Sequence, residues 1–105
     1  MAHWLTKVLR RVQELSLQRR FRLTAKAARE VAALGLDPED VRETLVRLRS
    51  ADSAGRQMSN MTGEWMYVFK RRVGEDLVYV KLILRSEFVV VSFHEDEGDR
   101  YEEDE

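Results

Sequence analysis

Apolar positions repeat with helical spacing in the first half of the chain and with strand spacing in the second. From 3 to 15, Leu5, Val8, Leu9, Val12 and Leu15 share one face of an amphipathic helix, with Arg10, Arg11 and Glu14 off that stripe. The segment SLQRRFRL (16–23) breaks the pattern with three arginines around Phe21, and reads as a connection with room for a short extended piece. Thr24 is placed to cap AKAAREVAAL, a helix over about 25–34 that Gly35 ends. Asp37, Pro38 and Asp40 spell a capping box with proline at the first helical position, opening a helix over about 38–49. Its Val41, Leu45 and Leu48 turn one face to the core.

SADSAGRQMSNMTG (50–63) is rich in Ser, Gly and Asn and reads as a long loop, a kind of segment that often carries function. Three strands are expected after it, over about 65–71, 77–84 and 88–94, joined by turns at Val73-Gly74-Glu75-Asp76 and Arg85-Ser86-Glu87. In the middle strand Val78, Val80, Leu82 and Leu84 share one side, while Leu77, Tyr79, Lys81 and Ile83 share the other. In the last strand Val89, Val91 and Phe93 are expected on one side and Phe88, Val90, Ser92 and His94 on the other. Matching the two purely apolar sides sets Tyr79 and Lys81 beside Ser92 and His94. A two-residue turn pairs Tyr79 with Ser92, and a four-residue turn pairs it with His94. Helices followed by an antiparallel sheet make an α+β fold, with the helices on the apolar side and the polar residues on the other. One domain over 1–94 and an acidic tail over 95–105, solubilising and without fixed structure, are expected.

Composition narrows the chemistry. At 105 residues, 44% hydrophobic and 35% charged, the chain has the make-up of one globular domain. It has no cysteine, which excludes disulfides and thiol chemistry, and only two histidines, His3 and His94, so no metal site is expected. The opening WLTKVLRRVQEL is charged too often for a secretory leader, and no apolar run reaches the roughly 18 residues of a membrane span, so a cytoplasmic location is expected. The net charge of −1 conceals a split: residues 95–105 hold eight acids and one base, whereas 1–94 hold 17 bases and 11 acids. Fourteen of the 18 bases are arginine, suited to phosphate. A basic body of this kind suits an anionic partner.

RNA carries its own nucleophile, the 2′-OH. A protein that cleaves it needs a base for that hydroxyl, an acid for the leaving 5′-oxygen and positive charge for the phosphorane-like transition state. His94 and Tyr79 are the candidate proton-transfer groups, with Lys81, Lys70 and Arg56 as cations and Ser92 as a neighbouring hydroxyl. The same residues also suit blander roles: a solvated strand-end histidine, a strand-forming tyrosine, surface lysines. Trp65, Tyr67 and Phe69 read as packing residues rather than base-stacking ones.

From Leu34 to Glu97 the chain resembles the MqsR-like (motility quorum-sensing regulator) toxins of bacterial toxin–antitoxin systems. The resemblance is carried by Leu34-Gly35-Leu36-Asp37, Leu48, Asp52, Met58, Trp65 with Val68 and Phe69, Val78-Tyr79-Val80-Lys81, and Val91-Ser92-Phe93 followed by Glu95. It implies a RelE-like ribonuclease fold and a sequence-selective mRNA endonuclease that halts growth and requires no cofactor. It also implies a cognate antitoxin, typically a DNA-binding protein encoded by the adjacent gene and often bearing a zinc-containing N-terminal domain. The family's catalytic tyrosine matches Tyr79. Its loop lysine falls on or near Arg56, the lysine after the Ser-Phe pair becomes His94, and the glutamine after the strand tryptophan becomes Met66. Two other functions fit the same fold: a non-catalytic RNA-binding or protein-binding module, and a regulatory partner that binds only the neighbouring gene's product.

Overall fold

The computed structural model describes residues 3–97. Three helices, α1 (His3–Leu17), α2 (Ala25–Ala33) and α3 (Pro38–Val46), accompany five strands: β1 (Phe21–Leu23), β2 (Ser53–Met58), β3 (Trp65–Val73), β4 (Asp76–Leu84) and β5 (Phe88–Glu95). The strands form one sheet in the order β1-β5-β4-β3-β2. All neighbours are antiparallel except β1, which runs parallel to β5. The architecture is α+β, with the helices on one face of the sheet.

Local chemistry sets the helix limits. The Thr24 hydroxyl accepts the Ala27 N–H at 3.0 Å and starts α2. Gly35 ends it at φ +74°, where the Leu36 N–H returns to the Val31 carbonyl at 3.1 Å. At α3, Asp37 and Asp40 each accept the other's backbone N–H at 2.9 Å. The helix stops at Val46 rather than near 49, yet Leu48 remains buried, and the Gln13 amide donates to its carbonyl at 2.9 Å. Val12 and Leu15 of α1, Val31 of α2, and Val41 and Leu45 of α3 close over Phe69, Val80, Leu82, Phe88, Val90 and Phe93 of the sheet.

Two departures from the sequence reading shape the site. The expected loop over 50–63 instead contains a 3-10 turn (Ser50–Asp52) and the edge strand β2, leaving only Ser59–Glu64 as the connection to β3. An edge strand exposes most of its side chains, so SAGRQM needs no apolar alternation. The pairing slips by one residue between Ser53 and Arg56, where Gly55 sits at φ +95°. This bulge turns Gln57 to the face opposite the helices and Arg56 to the helix side.

The second departure is in β5. The turn at Arg85-Ser86-Glu87 has three residues, pairing Leu84 with Phe88 and Leu82 with Val90, so Phe88 and Val90 point into the core. The reading that grouped Val89, Val91 and Phe93 on the core side holds only for Phe93. The physical reason is a one-residue bulge at Val91, after which Lys81 pairs with Ser92, Val80 with Phe93 and Tyr79 with His94. Phe93 thereby enters the core, while Ser92 and His94 turn to the open face beside Lys81 and Tyr79.

Beyond Val90 the outer edge of β5 has no strand partner among the described residues, and α2 takes its place. The Thr24 N–H donates to the Val90 carbonyl at 3.0 Å, and Lys26 Nζ reaches the Val91 carbonyl at 3.4 Å and Ser92 Oγ at 3.1 Å. Glu30 Oε1 accepts the Phe93 N–H at 3.0 Å. Glu30→Ala leaves that N–H without its acceptor, and a loss of about 1–3 kcal/mol is expected. Glu30→Gln keeps an acceptor oxygen and loses only the ionic component, so urea unfolding should rank wild type above Gln above Ala.

Candidate active site

The β-ladder lines up Lys70 of β3, Tyr79 of β4 and His94 of β5 in one row across the open face. Lys81 and Ser92 form the adjoining pair. Together they floor a cavity of about 630 Å³, walled by Lys26 and Glu30 from α2 and by Asp96 and Glu97 beyond β5. Five of the six residues singled out from sequence therefore meet in one place: Tyr79, Lys81, Lys70, Ser92 and His94.

Tyr79 and His94 stack, with ring centroids 5.0 Å apart and planes at 15°. Burial pushes the Tyr79 phenol above its usual 10.0, assisted by Asp96; the positive charge of Lys70 and a hydrogen bond from the Gln57 side chain pull the other way without cancelling it. Tyr79 therefore keeps its proton at neutral pH and has one to give. His94 Nδ1 lies 2.8 Å from the Glu95 carbonyl. A carbonyl only accepts, so Nδ1 carries the hydrogen in this contact and Nε2 of the neutral ring is the acceptor. One row thus offers a proton donor beside a proton acceptor.

Cations and carboxylates are balanced around this pair. Lys70 pairs with Asp96 at 3.4 Å and Lys26 with Glu30 at 3.1 Å. Burial alone would raise the Glu30 carboxyl, but the Phe93 N–H and Lys26 outweigh it and hold the group below 4.5. Among the described residues Lys81 has no ion-pair partner, and its Nζ stands 5.8 Å from the Tyr79 ring centroid. It is the cation most available to a ligand anion.

Arg56 is not in this group. It borders a hollow of about 260 Å³ lined by Gln57, Val68, Lys70 and Tyr79, but its guanidinium lies between two indoles, 4.9 Å from the Trp4 ring and 4.0 Å from that of Trp65. Trp4 itself packs on Tyr67 at 5.6 Å. The strand alternation imposed by the Gly55 bulge explains the placement: Arg56 faces Tyr67 on the helix side, and Gln57 faces Met66 on the open side.

Residues 6–95 match the family model described as "Motility quorum-sensing regulator, toxin of MqsA". The chain belongs to this toxin family. The match extends upstream of the resembling stretch to include most of α1, β1 and α2, and it makes the protein a toxin of a toxin–antitoxin system whose partner is an antitoxin. The α+β architecture is consistent with a RelE-like toxin fold. A search of curated proteins found no match.

In this toxin Tyr79 occupies the centre of the open face, between Lys70 and His94. Gln57 stands directly across from Met66 and lines a hollow shared with Tyr79. Sequence reasoning missed Gln57, Lys26, Glu30 and Asp96. The i,i+4 spacing of Lys26 and Glu30 was a signal for a shared helix face, but their reach to β5 depends on the tertiary fold. Gln57 needed recognition of an edge strand with a bulge. Among the described residues no group of three or more metal-ligating side chains is clustered, and no helix is long and apolar enough to cross a membrane. The tail beyond Glu97 lies outside the described residues.

Arg56→Ala removes a cation held between two rings, so a loss of about 1 kcal/mol is expected. Trp4 and Trp65 are the chain's two tryptophans, and their emission should shift in this variant. Unchanged emission would contradict this placement of Arg56.

Proposed function

We propose that the toxin is a metal-independent endoribonuclease that cleaves mRNA sequence-selectively by transesterification through the substrate's own 2′-OH. The observation that carries this reading is the stacked Tyr79–His94 pair, a donor and an acceptor in one row beside the unpaired Lys81. His94 Nε2 takes the 2′-OH proton as the 2′-oxygen attacks the adjacent phosphorus. The P–O5′ bond breaks, and the Tyr79 hydroxyl gives its proton to the departing 5′-oxygen. Lys81, with Lys70 and the Ser92 hydroxyl, binds the phosphate and its accumulating charge. The products are a 2′,3′-cyclic phosphate and a 5′-hydroxyl, and proton return from imidazolium to phenolate through solvent closes the cycle.

Cleavage in the cytoplasm accounts for growth arrest, and co-expression of the antitoxin encoded by the adjacent gene should relieve it. Tyr79→Phe and His94→Ala should each lower the cleavage rate by roughly 10²–10⁴-fold, read from end-labelled RNA in EDTA. Wild-type rates in both variants would remove these residues from the mechanism. Because the proton-bearing phenol titrates above 10.0, the Tyr79-dependent rate should show no alkaline decline at lower pH. A fall that begins near neutrality would assign the acid role elsewhere.

A non-catalytic RNA-binding function is favoured by one observation, the pairing of Lys70 and Lys26 with carboxylates inside the same cavity. RNA binding that weakens steeply with salt and yields no product in any sequence context selects that reading.

A further inference from the structure

Gln57 belongs to the polar edge strand β2, which the sequence presents as loop and to which the cleavage scheme assigns no step. Three observations place its side chain in the site. It lies opposite Met66 in the β2–β3 register, on the same face as Lys70 and Tyr79. It lines the 260 Å³ hollow together with Tyr79, Lys70 and Val68. Its side chain is near enough to act on the Tyr79 phenol, in the sense that favours the oxygen's negative charge. The bulge at Gly55 is what directs it there: continuing the Ser53–Phe69 register without a slip would pair Gln57 with Trp65 on the helix side.

We propose that Gln57 is the positioning residue for Tyr79: its side-chain amide donates to the phenolic oxygen and so directs the phenol's own proton into the cavity. An amide N–H fits this task because it occupies a lone pair of the phenol and leaves the O–H as the group free to donate. The Gln57 amide also stabilises the phenolate left after proton transfer, so its contribution increases along the reaction. Met66 cannot supply this contact. The other charged or titratable groups around Tyr79 are Lys26, Glu30, Arg56, Lys70, Lys81, His94, Asp96 and Glu97, and all are retained in the variants below.

The proposal rests on the ribonuclease reading for its catalytic consequence but not for its physical one, and two measurements separate them. The first is the ultraviolet phenolate titration of Tyr79, isolated as the difference between each variant and the same variant carrying Tyr79→Phe. The second is kcat and KM for cleavage of an RNA oligonucleotide. Gln57→Met should move the Tyr79 titration to higher pH and lower kcat roughly tenfold, the worth of one hydrogen bond, with KM changed less than twofold. Gln57→Glu keeps the size of the side chain but has no donor, so it should move the titration up at least as far and lower kcat as much, which a merely structural role for Gln57 does not predict. A titration unmoved by Gln57→Met overturns the proposal, as does a shifted titration with unchanged kcat. If wild type cleaves no RNA while the titration still shifts in both variants, the contact stands and the ribonuclease reading falls. Position 57 is exposed on an edge strand, so Gln57→Met is expected to fold, and thermal unfolding checks that it does.

Discussion

A single extra residue in β5, Val91, determines which side chains the open face can present. With a three-residue turn at 85–87 and no bulge, the ladder that begins at Leu84–Phe88 would continue with Ser92 opposite Val80 and His94 opposite Val78, on the core side. Phe93 would then face outward, forfeiting about 1.5–3 kcal/mol of burial, and two polar groups would enter an apolar layer at about 1–3 kcal/mol each. The bulge reverses both effects in one step. Phe93 becomes fully buried, and His94 meets Tyr79 ring to ring. Core packing and site assembly are therefore one constraint: the same slip that buries an aromatic exposes the histidine.

A bulge disrupts the ladder and leaves backbone groups to satisfy. Helix α2 does so, with the Thr24 N–H, Lys26 and Glu30 bonding Val90, Val91, Ser92 and Phe93 along the unpaired edge. Hence α2 is both the edge cover that hides β5 from further strand pairing and one wall of the cavity. A second bulge, at Gly55, repeats the device on the opposite edge strand. It divides neighbours Arg56 and Gln57 between the two faces, sending the arginine to the indoles and the amide to the phenol. Gly55 is required there because φ +95° is a conformation that side-chain-bearing residues rarely adopt.

Much of this was legible in the sequence, and the misses share a cause. Helical periodicity around Leu5–Leu15 and the capping signals at Thr24 and Asp37 are local, and local chemistry alone produces them. The grouping of Tyr79, Lys81, Ser92 and His94 followed from strand alternation, and Lys70 joins them through the β3–β4 register. The face of Phe88 and Val90 could not be read in the same way, because period-two alternation assumes an unbroken ladder and a bulge is a non-local compromise between turn length and core demand. β2 was hidden because an edge strand with mostly exposed side chains carries no apolar signature. The face taken by Arg56 was hidden for the same reason: without a strand there is no alternation to say which of two adjacent polar residues faces the site.

What the site contributes to chemistry is a proton donor held un-ionised by burial, an acceptor whose other ring nitrogen is committed to a carbonyl, and a lysine free to meet phosphate. In the proposed reaction the nucleophile is required to come from the substrate, as its own 2′-OH. That requirement is open to direct measurement. An RNA oligonucleotide that the toxin cuts is resynthesised with a single 2′-deoxy nucleotide on the 5′ side of the cut bond. The account predicts that binding persists while cleavage at that bond is abolished and other sites are unaffected. Cleavage of the deoxy-substituted bond at the original rate would contradict it.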